Sequence, residues 1–149
     1  MKPTIFATAL LLMLAGCSEI PKDAEGTIDR VRQTKVLRAG VIAEGNVPHN
    51  PSLDRLVGLV AADTGSRPDI VRGSTETLLP MIERGDLDLV VGELARDTPW
   101  ATRVAIMPSP EQMKSKDGDP QPVAVVRNGE NAWIALIHPR AMFLTRVAK

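Results

Sequence analysis

The polar residues best spaced to act together lie between Glu93 and Trp100: Glu93, Arg96, Asp97, Thr98 and Trp100. A carboxylate accepts hydrogen bonds from a cationic group. A guanidinium donates two parallel bonds to an anion, and a hydroxyl does both. This set suits noncovalent recognition of a small polar solute. It does not by itself make a catalyst. The chain has no Gly-x-Ser-x-Gly elbow, no Cys/His ligand spacing and no phosphate loop. Its histidines are His49 and His138, and its one cysteine is Cys17. The residues therefore imply no catalytic group, no metal and no cofactor. His49 has two readings, a solvated loop histidine or a metal ligand.

The elements around this loop must hold it at one edge of a sheet. Gly85 stands where a helix C-cap glycine belongs, because glycine enters the left-handed region cheaply. Leu87, Leu89, Val90 and Val91 then form a nearly continuous apolar run. A strand covered on both faces reads this way. Gly92 is expected to end that strand, which puts Glu93 in the loop. In open α/β sheets ligands sit beyond the carboxyl ends of the strands. The loops after neighbouring strands converge there, bringing in Glu44 and Ser74. The expected ligand-facing rim is Glu44, Ser74, Glu93, Arg96, Thr98 and Trp100. Trp100 has a second reading, as a staple that fixes the loop to the body.

Bulk composition narrows the classes. The chain has 149 residues, of one-domain size. Eighteen basic and eighteen acidic side chains cancel, so no basic excess points to nucleic acid. Two Phe, two Trp and no Tyr argue against base-stacking platforms and aromatic sugar clefts.

The first sixteen residues read as a signal peptide. Lys2 gives a short positive region and Ile5–Leu14 an apolar core, too short to span a bilayer. The segment ends Leu14-Ala15-Gly16-Cys17, which resembles the lipobox of bacterial lipoproteins. That likeness implies a diacylglycerol on Cys17 and palmitate-type acyl chains in a membrane; two or more such chains anchor stably. Residues 17–26 read as a polar tether and 27–149 as the folded lobe.

Within the lobe, Thr27 is expected to cap a short helix, and Val36–Ile42 to form the central first strand. Asn50-Pro51 opens an amphipathic helix through Leu53, Leu56, Val57, Val60 and Ala61, stopped at Gly65. Pro68–Arg72 is a short strand. A second helix carries Leu78, Leu79 and Ile82; with Thr77 as its N-cap, Pro80 falls in the first turn and costs no hydrogen bond. Ser74 is the other candidate cap, and the backbone N–H groups of Ser74–Thr77 could hold an anion. Arg103–Met107 is a strand, Glu111–Gln121 an exposed loop or hairpin, and Val123–Val126 the last strand. Glu130–Ile137 is a final helix, broken or bent at Pro139. The implied fold class is α/β, a mostly parallel sheet with helices on both faces.

Two stretches carry a resemblance. Ile82-Glu83-Arg84-Gly85-Asp86-Leu87-Asp88-Leu89-Val90-Val91-Gly92 followed by Asp97-Thr98-Pro99-Trp100-Ala101 resembles the first lobe of amino-acid-type periplasmic solute-binding proteins of ABC importers. So does Thr27-Ile28-Asp29-Arg30-Val31 leading into Val36-Leu37-Arg38-Ala39-Gly40-Val41. The resemblance implies a single lobe of the type II periplasmic binding protein fold. In that family a second lobe follows the first; here the chain passes from Pro110 through a polar loop to Val123–Val126. The likeness therefore covers roughly residues 27–133 and implies a truncated, single-lobe member. The family's carboxylate-holding arginine, three residues after the loop threonine, is replaced by Ala101, and Arg96 is the nearest arginine before it. The family's aromatic platform in the first loop is missing: the place holds Val47-Pro48-His49, where the resemblance leaves His49 as a candidate to replace it.

The resulting expectation is an extracytoplasmic, membrane-anchored lipoprotein, periplasmic or on the cell surface, that binds a small polar solute or assists a transporter. It is not expected to be an enzyme or to bind nucleic acid. The alternative is a ligand-less accessory lipoprotein that docks on a membrane transporter.

Overall fold

Residues 23–45 and 50–145 are described in the computed structural model of the protein. The signal peptide, Cys17, most of the tether and Val47-Pro48-His49 lie outside them. The described elements run α1 (Thr27–Thr34), β1 (Val36–Ile42), α2 (Pro51–Thr64), β2 (Arg67–Gly73), α3 (Thr75–Arg84), β3 (Leu89–Leu94), a 3-10 turn (Pro99–Thr102), β4 (Val104–Pro108), α4 (Pro110–Lys114), β5 (Gln121–Arg127) and α5 (Asn131–Ala141). The sheet order is β2-β1-β3-β5-β4. β1 pairs in parallel with β2 and with β3. β5 runs antiparallel between β3 and β4, so four strands point one way and β5 the other. The sheet is mostly parallel, as expected.

Two cores lie on its two faces. Strand alternation sends Leu89, Val91, Ala124 and Val126 to one face, under α1, α2 and α5. It sends Val90, Leu94, Val123 and Val125 to the other, where Leu78, Leu79 and Ile82 of α3 and Trp100 cover them. β2 is different. As an edge strand it has every residue from Arg67 to Arg72 exposed.

Local chemistry explains most boundaries. The Asn50 side chain accepts the Ser52 N–H and Pro51 takes the first helical position. Gly65 and Gly85 close α2 and α3 with φ of 62° and 82°. Several expectations are corrected. Thr27 is the first residue of α1, not its cap; the position before it is Gly26. Two carboxylates take the N–H groups there: Glu130, completely buried, accepts those of Glu25 (2.7 Å) and Thr27 (3.0 Å), and Asp23 accepts that of Ile28 (3.1 Å). Ser74, not Thr77, precedes α3, so Pro80 lies inside the helix and removes one of its hydrogen bonds. β3 does not stop at Gly92 but continues through Glu93 to Leu94. Gly92 is instead a close-approach glycine: a Cβ there would lie 2.5 Å from the Ile42 Cβ. Residues 110–114 form helix α4, whose buried Gln112 donates to the Leu94 carbonyl at 3.0 Å. α5 runs through Pro139 to Ala141.

Candidate functional site

The carboxyl edge of the sheet gathers the ends of β1, β2, β3 and β4 with the start of β5. The chain leaves β3 at Leu94 and must return to the opposite edge to begin β4. It does so along α3. Trp100 meets the first turn of that helix, its indole N–H donating to Glu76 at 3.4 Å. Arg103 pairs with Glu83 in the last turn, and its guanidinium lies 4.5 Å from the centre of the Trp100 ring.

Each expected rim residue has a definite place. Glu44, just past β1, accepts the Thr75 backbone N–H at 2.5 Å. Its carboxylate therefore sits on the N-terminus of α3, where negative charge is favoured by the orphan N–H groups and the helix dipole. The Ser74 hydroxyl lies 3.0 Å from the Thr77 hydroxyl. Thr98 accepts the Trp100 N–H at 3.5 Å and opens the 3-10 turn. Trp100 is 7% exposed and belongs to the core under α3. The structure thus joins Glu44 to the start of α3, and Thr98 to Trp100. Glu93, two residues after Val91, shares the sheet face of α2 and α5. It does not meet the residues on the α3 side.

Arg96 stands apart again. It lines a cavity of about 260 Å³ with Ala95, Ala101, Ile106, Gln112 and Met113, between the crossover and α4. Ala101, where the resembling family carries its arginine, thus borders the same space as Arg96. Asp97 fixes the loop from outside by accepting the Gly118 N–H at 3.0 Å. Gln112 and Met113 carry no sequence signal as neighbours of the rim. Glu76 is legible in the sequence as a negative charge at the Ser74–Thr77 helix start, and it lies in the first turn of α3. Among the described residues no cluster of three or more His, Cys, Asp or Glu is placed to hold a metal. No described helix is long and apolar enough to cross a membrane.

No family model matches the chain, and no curated protein matches it. Solved structures do. The arginine-bound form of domain 1 from TmArgBP superposes with a TM-score of 0.63 at 17% identity, covering 78% of this chain and 98% of that one. A single-substitution mutant of the same arginine-bound domain gives 0.63 at 18%, covering 76% and 95%. An ancestral cationic amino acid solute-binding protein gives 0.45 at 20%, over 55% of this chain and 39% of that one. At such identities the likeness speaks for the fold alone: this chain has the fold of that single domain.

Proposed function

We propose that the protein is an extracytoplasmic, membrane-anchored solute-binding lipoprotein that holds a small polar solute at the carboxyl edge of its sheet. The cavity beside Arg96 carries the proposal. It lies where open α/β sheets take their ligands and has room for a molecule of amino-acid size. Arg96 supplies a planar donor pair for an anionic group of the solute. Glu44, Ser74, Glu93 and Thr98 lie on the same edge outside this cavity, and Glu44 and Thr98 already accept backbone N–H groups. Trp100 fixes the crossover that carries Arg96. Domain 1 of TmArgBP is described in an arginine-bound form, a precedent for one such lobe holding a ligand. Anchorage is proposed at Cys17, through the acyl chains of the lipobox reading.

The alternative, an accessory lipoprotein docking on a transporter, has one observation of its own. β2 is an exposed edge strand that presents Ile70 and Val71 to solvent at 38% and 41%. A thermal-shift screen against amino acids, organic acids and divalent metals separates the two. A ligand at a hundred times its Kd stabilises by about 2.7 kcal/mol. A saturable shift with one compound supports solute binding, and a flat screen favours docking.

A further inference from the structure

The amino edge of the sheet, opposite the proposed solute site, holds a second cavity of about 210 Å³. Arg30, Arg38, Arg84 and Arg127 line it, from α1, β1, α3 and β5. Asp88 forms its inner end, with a side chain only 1% exposed. That carboxylate is already saturated. It accepts the Arg38 backbone N–H at 2.9 Å and the Arg38 guanidinium at 2.6 Å, and it pairs with Arg30. Among the described residues Arg84 pairs with the exposed Asp86 (3.0 Å) and Arg127 with the exposed Glu25 (3.5 Å). The lining itself holds four guanidiniums and two carboxylates, Glu25 and Asp88, with Asp86 beside Arg84 and Glu130 behind the Glu25 and Thr27 N–H groups. Each guanidinium has five N–H donors, far more than those carboxylates use.

From this arrangement we propose that the amino-edge cavity binds a phosphate group, either the phosphodiester of an anionic lipid headgroup or a free phosphate. Converging guanidiniums suit phosphate oxygens, which they engage in bidentate pairs. Position favours the lipid source. Glu25 and Thr27 border the cavity, and ten residues (17–26) separate it from the membrane side of the chain. That argument rests on the anchorage proposed above; phosphate binding itself does not.

The test is calorimetric titration of the full chain, extracted in neutral detergent, with inorganic phosphate and separately with glycerophosphoglycerol, a soluble headgroup diester. Saturable binding of either ligand is expected. Tighter binding of the diester assigns the lipid headgroup, and tighter binding of inorganic phosphate assigns the free ion. The double variant Arg84→Gln/Arg127→Gln keeps the Asp88 cluster and should weaken binding at least tenfold. Arg140→Gln, paired with Asp63 elsewhere on the surface, should not. Should the double variant melt early, Arg84→Gln alone, with its side chain 61% exposed, gives the same reading. No binding of either ligand, or equal binding by the double variant and Arg140→Gln, overturns the proposal. Arg96 takes no part in this site, so a flat solute screen leaves the result standing.

Discussion

Glu44 caps the helix that follows the neighbouring strand, not its own: its carboxylate, just past β1, accepts the Thr75 N–H at the first residue of α3. Ser74, in the N-cap position, makes no side-chain cap bond of its own. The acid therefore replaces the missing cap and ties the loop after β1 to the loop after β2. Glu44→Ala should lower stability by about 0.5–1 kcal/mol, the low end for a lost cap because the contact is exposed. Urea unfolding measures it. An unchanged midpoint would mean that Thr75 is bonded to water instead.

Glu130 is a buried version of the same device. Glu130→Gln keeps the shape but leaves one oxygen for two backbone donors. A buried donor left unpaired costs about 1–3 kcal/mol. Denaturant unfolding should show a loss in that range with an unchanged slope. Full stability in the Gln variant would show that the second donor finds another partner.

Gly92 and Ile42 form a tight pair across β1 and β3. Gly92→Ala should destabilise by about 1–3 kcal/mol through overpacking. Ile42→Ala in the same chain should recover only part of that loss, because it removes the Cγ1 and Cδ1 atoms but keeps the Cβ that lies 2.5 Å away. A double-mutant cycle measures this coupling. Additive effects would mean that the two strands sit farther apart.

How legible was this in the sequence? Local chemistry was. Asn50-Pro51, Gly65 and Gly85 fix helix ends by hydrogen bonds within a few residues, and the apolar run from Leu87 to Val91 marked the central strand. Polar residues turned inward were not. Gln112 is buried because it reaches the Leu94 carbonyl, so α4 carries no apolar stripe and reads as a loop. Glu130 looks like an ordinary surface acid until Thr27 folds onto it. The reversed direction of β5 is written in no residue of Gln121–Arg127; it follows from its place between β3 and β4. At the site, strand order placed the candidate residues along one edge. Side-chain direction was not visible: two residues more of β3 put Glu93 on the far face, and the crossover along α3 buried Trp100.

Anchorage has its own test. If Cys17 carries acyl chains, Cys17→Ser should release a soluble form or leave an uncleaved precursor. Membrane fractionation and gel mobility report both. No change in either contradicts a lipid at Cys17.

The account stands most directly on Arg96. Binding of the best solute from the thermal-shift screen, measured by titration calorimetry, should weaken by about 1.5–3 kcal/mol in Arg96→Ala, the worth of a hydrogen bond to a charged group, or roughly ten- to a hundredfold. Arg84→Gln, at the opposite edge of the sheet, should leave that affinity unchanged. Equal binding by wild type and Arg96→Ala would remove the solute from the cavity between the crossover and α4.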